Sequence, residues 1–256
     1  MKLLPIFLLT LFVSKLSAQT TYAVVIGISD YKILDYRTGD LRYADEDARR
    51  FVAFLKSDAG GRVPSQNIIL LTNQMASQSA IFTAMRIFQK ASATDRIIFY
   101  FSGHGAENAF VPYDVKQNSY ASLLTHAEIK AAFKESVAST KLVIADACFS
   151  GSMKPKKAIQ RYKKTRDNSE GLNVAMILSS RSTQQSIEAS QVNGGVFTYF
   201  LLTGLRGYAD FNKDRMVTIK ELYTYMAPRL KKSTSNGQAP VFSGKFSDNL
   251  VLSLVR

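Results

Sequence analysis

The chain has 256 residues, 46% of them apolar and 21% charged, with only 14 glycines and 6 prolines. That composition excludes collagen-like, low-complexity and wholly disordered classes, and the length allows one large domain or two small ones, with enough chain for a sizeable core. The single cysteine, Cys148, excludes an internal disulfide and a cysteine-rich zinc site, while a formal net charge of +13 raises the question of an anionic partner.

In chain order, Met1–Lys2 supplies a positive start, Leu3–Val13 is apolar apart from Pro5 and Thr10, and Ser14–Ala18 is mostly small or polar. This is the layout of a secretory signal over residues 1–18, with cleavage after Ala18 and a mature domain of residues 19–256. A membrane span needs about 20 apolar residues, more than this run provides. The expectation is therefore an exported protein, periplasmic or secreted, with no membrane association once the signal is removed. Seven positive charges then crowd between Lys154 and Arg166 with no acid among them: Lys154, Lys156, Lys157, Arg161, Lys163, Lys164 and Arg166. Nucleic-acid proteins spread basic residues over a face and interleave aromatics for stacking. One local run containing only Tyr162 predicts no nucleic-acid partner.

Five apolar runs read as strands: Tyr22–Ile28, Asn67–Leu71, Arg96–Phe101, Lys141–Ala145 and Val174–Leu178. They are nearly continuous rather than alternating, the pattern of parallel strands buried on both faces. Asn249–Val255 is expected as a sixth and last strand. Helical stripes lie between them: Ala44, Ala48, Phe51, Val52 and Leu55; Ile81, Phe82, Met85 and Phe88; and Ile129, Ala132, Phe133 and Val137 behind the capping box Thr125-x-x-Glu128. Strands alternating with helices predict an α/β fold, a mainly parallel six-stranded sheet between helices. Loops are expected over Asp58–Pro64, Ala106–Ser122, Ser152–Gly171 and Lys232–Pro240.

In open α/β sheets, ligands bind at the carboxyl ends of strands. The run Ile97–Phe101 leads into Ser102-Gly103-His104-Gly105, and Leu142–Ala145 leads into Asp146-Ala147-Cys148-Phe149-Ser150-Gly151. A histidine and the only cysteine thus each stand just past a buried strand, in glycine-bearing turns. Such a pair is the minimum for nucleophilic attack on a carbonyl. Taken singly, a cysteine is most often a small buried hydrophobe and a histidine most often structural. The rival base, His126, opens a capped helix without a glycine context and reads as a surface residue.

Tyr100-Phe101-Ser102-Gly103-His104-Gly105 and Asp146-Ala147-Cys148-Phe149-Ser150-Gly151 resemble the two signatures of the caspase-like cysteine peptidases, in particular the metacaspases and their bacterial counterparts. Val24–Ile28 and Leu41–Leu55 resemble that family's first strand and first helix, so the likeness covers nearly the whole mature chain. It implies a caspase-like three-layer sandwich and a Cys–His dyad. Cys148 would be the nucleophile, with a thiol pKa lowered by a nearby imidazolium. His104 would protonate the leaving amine, and the N–H groups of Gly105 and Cys148 would form the oxyanion hole. Asp146, two residues before Cys148, points to the same side in extended chain. Asp47 matches the aspartate on the first helix of metacaspases. With Ser102, these acids would line an S1 pocket for Arg or Lys and reject an acidic side chain. The expected partners are protein or peptide substrates with a basic P1 residue.

Under that reading the basic loop, residues 152–171, is a tethered run of preferred P1 residues, and self-cleavage is expected after one of its seven cations. Many metacaspases require calcium through acids near the two motifs. Asp114 matches one such position, but the next acid pair reads Thr125-His126 here, so no cofactor is expected to be required. Separately, residues 210–221 place Asp210, Asn212, Asp214, Met216 and Glu221 at EF-hand ligand spacing, with Arg215 where a glycine is usual, which makes calcium possible there. Thr218-x-x-Glu221 is also a capping box for a helix Ile219–Leu230. The alternatives to a secreted peptidase are a non-catalytic binding module on the same fold and a calcium-regulated zymogen. Monomer and homodimer both remain open.

Overall fold

The computed structural model describes residues 19–33, 39–106, 108–117, 119–147, 161–164, 174–181, 188–189, 194–235 and 238–255. In chain order the main elements are β1 (Thr21–Gly27), α1 (Ala44–Lys56), β2 (Ile68–Thr72), α2 (Gln78–Met85), β3 (Arg96–Gly103), α3 (His126–Lys134) and β4 (Thr140–Ala147). There follow β5 (Arg161–Lys164), β6 (Val174–Arg181), α4 (Val196–Thr203), β7 (Met216–Thr218), α5 (Ile219–Ser233), β8 (Gln238–Gly244) and β9 (Val251–Leu254). The central sheet runs β2-β1-β3-β4-β6-β8, with the short β5 added on the edge beyond β8. The first five strands are mutually parallel, β8 is antiparallel to β6, and β5 is parallel to β8.

Both faces of the sheet are covered, which is why its strands read as continuous apolar runs. Ala23, Val25, Ile98, Tyr100, Leu142 and Ile144 face Phe51 of α1, Leu201 of α4 and Leu222 and Met226 of α5. Val24, Ile26, Phe99, Phe101, Val143 and Ala145 face Ile81, Phe88, Ile129 and Phe133 on the other side. The result is the expected three-layer α/β/α sandwich. Lys141 is buried at the end of α3, where its Nζ donates to the carbonyls of Phe133 and Ser136 at 2.7 and 2.6 Å, a cation on the negative end of a helix.

Three expectations need correction. The sixth place in the sheet is taken by Gln238–Gly244 and not by Asn249–Val255; β9 pairs antiparallel with β7 outside the sheet. A side chain, Arg96, ties β9 to the sheet by donating to the carbonyls of Val251 and Leu252 at 2.9 and 3.1 Å. β8 escaped notice because Pro240 interrupts it. Among the described residues the β5 pairs begin at Val241. Second, Val137 lies beyond the end of α3 and is 68% exposed. Third, the loop assigned to residues 152–171 contains a strand, β5. Among the described residues no helix is long and apolar enough to cross a membrane.

Candidate active site

β3 and β4 run side by side in parallel register to their carboxyl ends, with Ser102 opposite Asp146 and Gly103 opposite Ala147. His104 is the next residue on one strand. Cys148, the next on the other, lies outside the described residues, as do Lys154, Lys156, Lys157 and Arg166.

His104 is fixed from the loop between β1 and α1. Its backbone N–H donates to the Tyr31 hydroxyl at 2.7 Å, and the Tyr31 ring packs 4.9 Å from the imidazole. Its Nε2 contacts the carbonyl of Gly39. A carbonyl only accepts, so that contact puts the hydrogen on Nε2 and leaves Nδ1 as the nitrogen whose protonation can change. Gly105 opens a short antiparallel ribbon in which it faces Phe110, while Val111 N–H donates to the carbonyl of His104 at 3.0 Å.

The structure brings Asp47, Ser102 and Asp146 together. Asp47 takes a core position on the buried stripe of α1, between Ala44 and Ala48, and is 2% exposed; Asp146 is 1% exposed and Ser102 3%. The carboxylates meet at Gly195, the residue that caps α4. Gly195 N–H donates to Asp47 Oδ2 at 2.8 Å. Thr198 donates to Asp146 Oδ2 from its N–H at 3.3 Å and its hydroxyl at 3.1 Å. A methyl carbon on Gly195 would stand 2.3 Å from Asp146 Oδ2 and 2.7 Å from Asp47 Oδ2, so the two oxygens are no more than about 5 Å apart. At that range carboxylates repel one another and favour a shared cation. Arg50 Nη1 lies 3.9 Å from the other oxygen of Asp47. Tyr100, on the same strand face as Ser102, is pushed well above the ordinary phenol range, first by burial and then by the charges of Asp47 and Asp146.

The remaining candidates lie elsewhere. Arg161, Lys163 and Lys164 belong to β5. Asp210, Asn212 and Asp214 are engaged with their own loop: Asp210 Oδ2 accepts from Arg215 N–H, Asn212 Oδ1 from Asp214 N–H, and Asp214 Oδ1 from Met216 N–H. Glu221 Oε2 accepts from the Thr218 N–H and hydroxyl at 3.0 and 2.8 Å, completing the capping box of α5. Arg215 has φ 67°, the left-handed backbone expected at the glycine position of such a loop. Among the described residues no three His, Cys, Asp or Glu side chains converge as metal ligands. Asp114, matched to a calcium position in the sequence, accepts instead from Gln78 N–H at the start of α2. His126 corrects an expectation: it is half-buried against Phe110, with ring centroids 4.9 Å apart, and burial followed by Lys130 lowers its pKa to about 4.

Tyr31, Gly39, Tyr100, Gly195 and Thr198 were not singled out by the sequence. α4 itself was missed because Val196-Phe197-Thr198-Tyr199-Phe200-Leu201-Leu202 is apolar nearly all round and shows no face. A signal existed for Asp47, a charged residue on an apolar helical stripe.

A family model described as "Caspase domain" matches residues 20–251. A probable protease from a Desulfuromonadales bacterium is 26% identical over 86% of this chain, which spans only 31% of that relative's length. Protein GSU0716 from Geobacter sulfurreducens has a similar structure, with TM-score 0.63, 17% identity and coverage of 93% of this chain and all of that one. Caspase-1 from Spodoptera frugiperda superposes with TM-score 0.63 at 15% identity, over 93% of this chain and 91% of its own. At such identities these likenesses speak for the fold, and the family model covers most of the chain. The chain therefore belongs to the caspase-domain family.

Proposed function

We propose that the protein is an exported cysteine endopeptidase that cuts after Arg or Lys, with Cys148 as nucleophile and His104 as acid and base. The observation that carries the basic preference is the convergence of Asp47 and Asp146, two buried carboxylates, beside Ser102 at the strand ends that lead to His104 and Cys148. A guanidinium or ammonium in that pocket relieves the repulsion between the acids, and an acidic P1 side chain adds to it.

The Cys148 thiolate attacks the scissile carbonyl carbon, and the oxyanion is held by the N–H groups of Gly105 and Cys148. The carbon–nitrogen bond breaks as His104 Nδ1 gives its proton to the leaving amine. A water then attacks the thioester; His104 takes its proton, and Cys148 leaves as thiolate. The carbonyl of Gly39 on Nε2 supports this division of labour by keeping the ring in one tautomer.

Self-cleavage is part of the proposal. A peptidase binds its substrate backbone extended and unpaired, whereas Arg161, Lys163 and Lys164 lie in a strand paired with β8. That argues against cleavage after Arg161, Lys163 or Lys164. No calcium step enters the mechanism. The test uses fluorogenic peptides with Arg, Lys or Asp at P1 on wild type and Cys148→Ala, with N-terminal sequencing of both purified proteins. Cleavage of the Arg and Lys peptides, fragments in wild type and an intact Cys148→Ala chain are expected. A wild type inert towards basic peptides, or identical fragments in Cys148→Ala, refutes the reading.

A further inference from the structure

The acids of the proposed pocket are gripped by the first turn of α4. Gly195 holds Asp47, and three residues on Thr198 holds Asp146 with two donors on one oxygen. Thr198 has a single hydroxyl proton, and a carboxylate only accepts. That proton therefore goes to Asp146, so in the 2.8 Å contact between the Tyr100 and Thr198 hydroxyls it is Tyr100 that donates. The direction of the relay is fixed: Tyr100 to Thr198 to Asp146. Its far end is anchored in the core, where Tyr100 stacks on Phe51 with centroids 4.3 Å apart and planes 13° from parallel. Tyr100 and Thr198 are both 0% exposed.

We propose that Thr198, backed by Tyr100, is a positioning residue for P1 recognition: it locks the Asp146 carboxylate against Asp47 and so sets the affinity for a basic side chain without touching the reacting bond. This rests on the peptidase reading above. The terminal torsion of an aspartate is broad and two-fold, so an Asp146 that has lost the Thr198 hydroxyl is held less firmly in its plane. Two donors on Oδ2 hold the plane of the carboxylate, and the Tyr100 hydroxyl holds the rotamer of Thr198.

The test compares wild type, Thr198→Val, Thr198→Ser, Tyr100→Phe and the double variant Thr198→Val/Tyr100→Phe on an Arg peptide. Thr198→Val keeps the shape and the backbone donor but loses the hydroxyl. It is expected to raise KM about 10-fold with kcat within about two-fold, because one hydrogen bond to a charged group is lost. Thr198→Ser restores KM to within about two-fold of wild type. Tyr100→Phe raises KM about three-fold, and the double variant raises it by less than the product of the two single effects, since Tyr100 and Thr198 share one hydrogen bond. Alkylation of Cys148 by iodoacetamide proceeds at the wild-type rate throughout, a readout that general damage to the fold would move. If Thr198→Val does not fold, Tyr100→Phe and Thr198→Ser carry the decision. An unchanged KM in Thr198→Val, a fall in kcat at constant KM, or failure of Thr198→Ser to restore KM overturns the inference while leaving the peptidase reading standing. A wild type that cleaves no basic peptide sinks both.

Discussion

Gly195→Ala is the sharpest perturbation the site offers. Gly195 has φ −65° and ψ 129°, a conformation alanine adopts without strain, so the substitution changes sterics alone. The added carbon would lie 2.3 Å from Asp146 Oδ2 and 2.7 Å from Asp47 Oδ2. The shorter contact is roughly 0.7 Å inside the closest approach that real side-chain carbons make. Neither oxygen can stay, and their movement strains the bonds from Gly195 and Thr198 at 2.8, 3.1 and 3.3 Å. Hydrogen bonds to charged groups are worth about 1.5–3 kcal/mol each, so losing the equivalent of two weakens the proposed pocket by about 3 kcal/mol or more. That corresponds to at least about 100-fold in kcat/KM for an Arg peptide. Overpacking of this kind also lowers stability by about 1–3 kcal/mol. The assay is kcat/KM alongside thermal melting and the rate of Cys148 alkylation, expected to show a crippled kcat/KM with a reactive thiol and a modest fall in Tm. A Gly195→Ala enzyme within two-fold of wild type in kcat/KM would show that the acids do not bind the P1 side chain where they meet.

Tyr31→Phe removes the acceptor of the His104 N–H and leaves that donor unsatisfied, which lowers kcat about 10-fold with KM little changed in steady-state assays. His126 titrates near 4 in the folded protein, below the ordinary value near 6.5 of the unfolded chain. Between those values the unfolded state binds more protons, so the contribution of His126 is complete above about pH 6.5 and is lost as the pH falls towards 4, on the order of 2–3 kcal/mol. Melting curves across that window should flatten in His126→Gln, and an unchanged slope counts against the burial of the ring. Activity is expected to withstand a calcium chelator. Thr218→Ala, which breaks the capping box of α5, lowers stability by about 1 kcal/mol, and its Tm shift should be the same with and without calcium.

The apolar runs announced the sandwich because a parallel sheet covered on both faces has no polar positions to give away, and β1 to β4 and β6 are where those runs stand. His104 was legible as the residue past β3, and Asp47 as a charge on a buried stripe, because strand ends and helical spacing are local properties. β8 and β9 were misassigned between them, since membership of a sheet depends on which edge is vacant and not on how apolar a segment is. The seat of the two acids was likewise invisible: Asp47, Asp146 and Gly195 are far apart in sequence, and only α4 folding back over the sheet puts one backbone turn beneath both. Sequence by itself therefore determined which side chains lie on which strand and helix. Tertiary structure decided which of them share a point in space, because that depends on chain closure over long distances, to which local periodicity is blind.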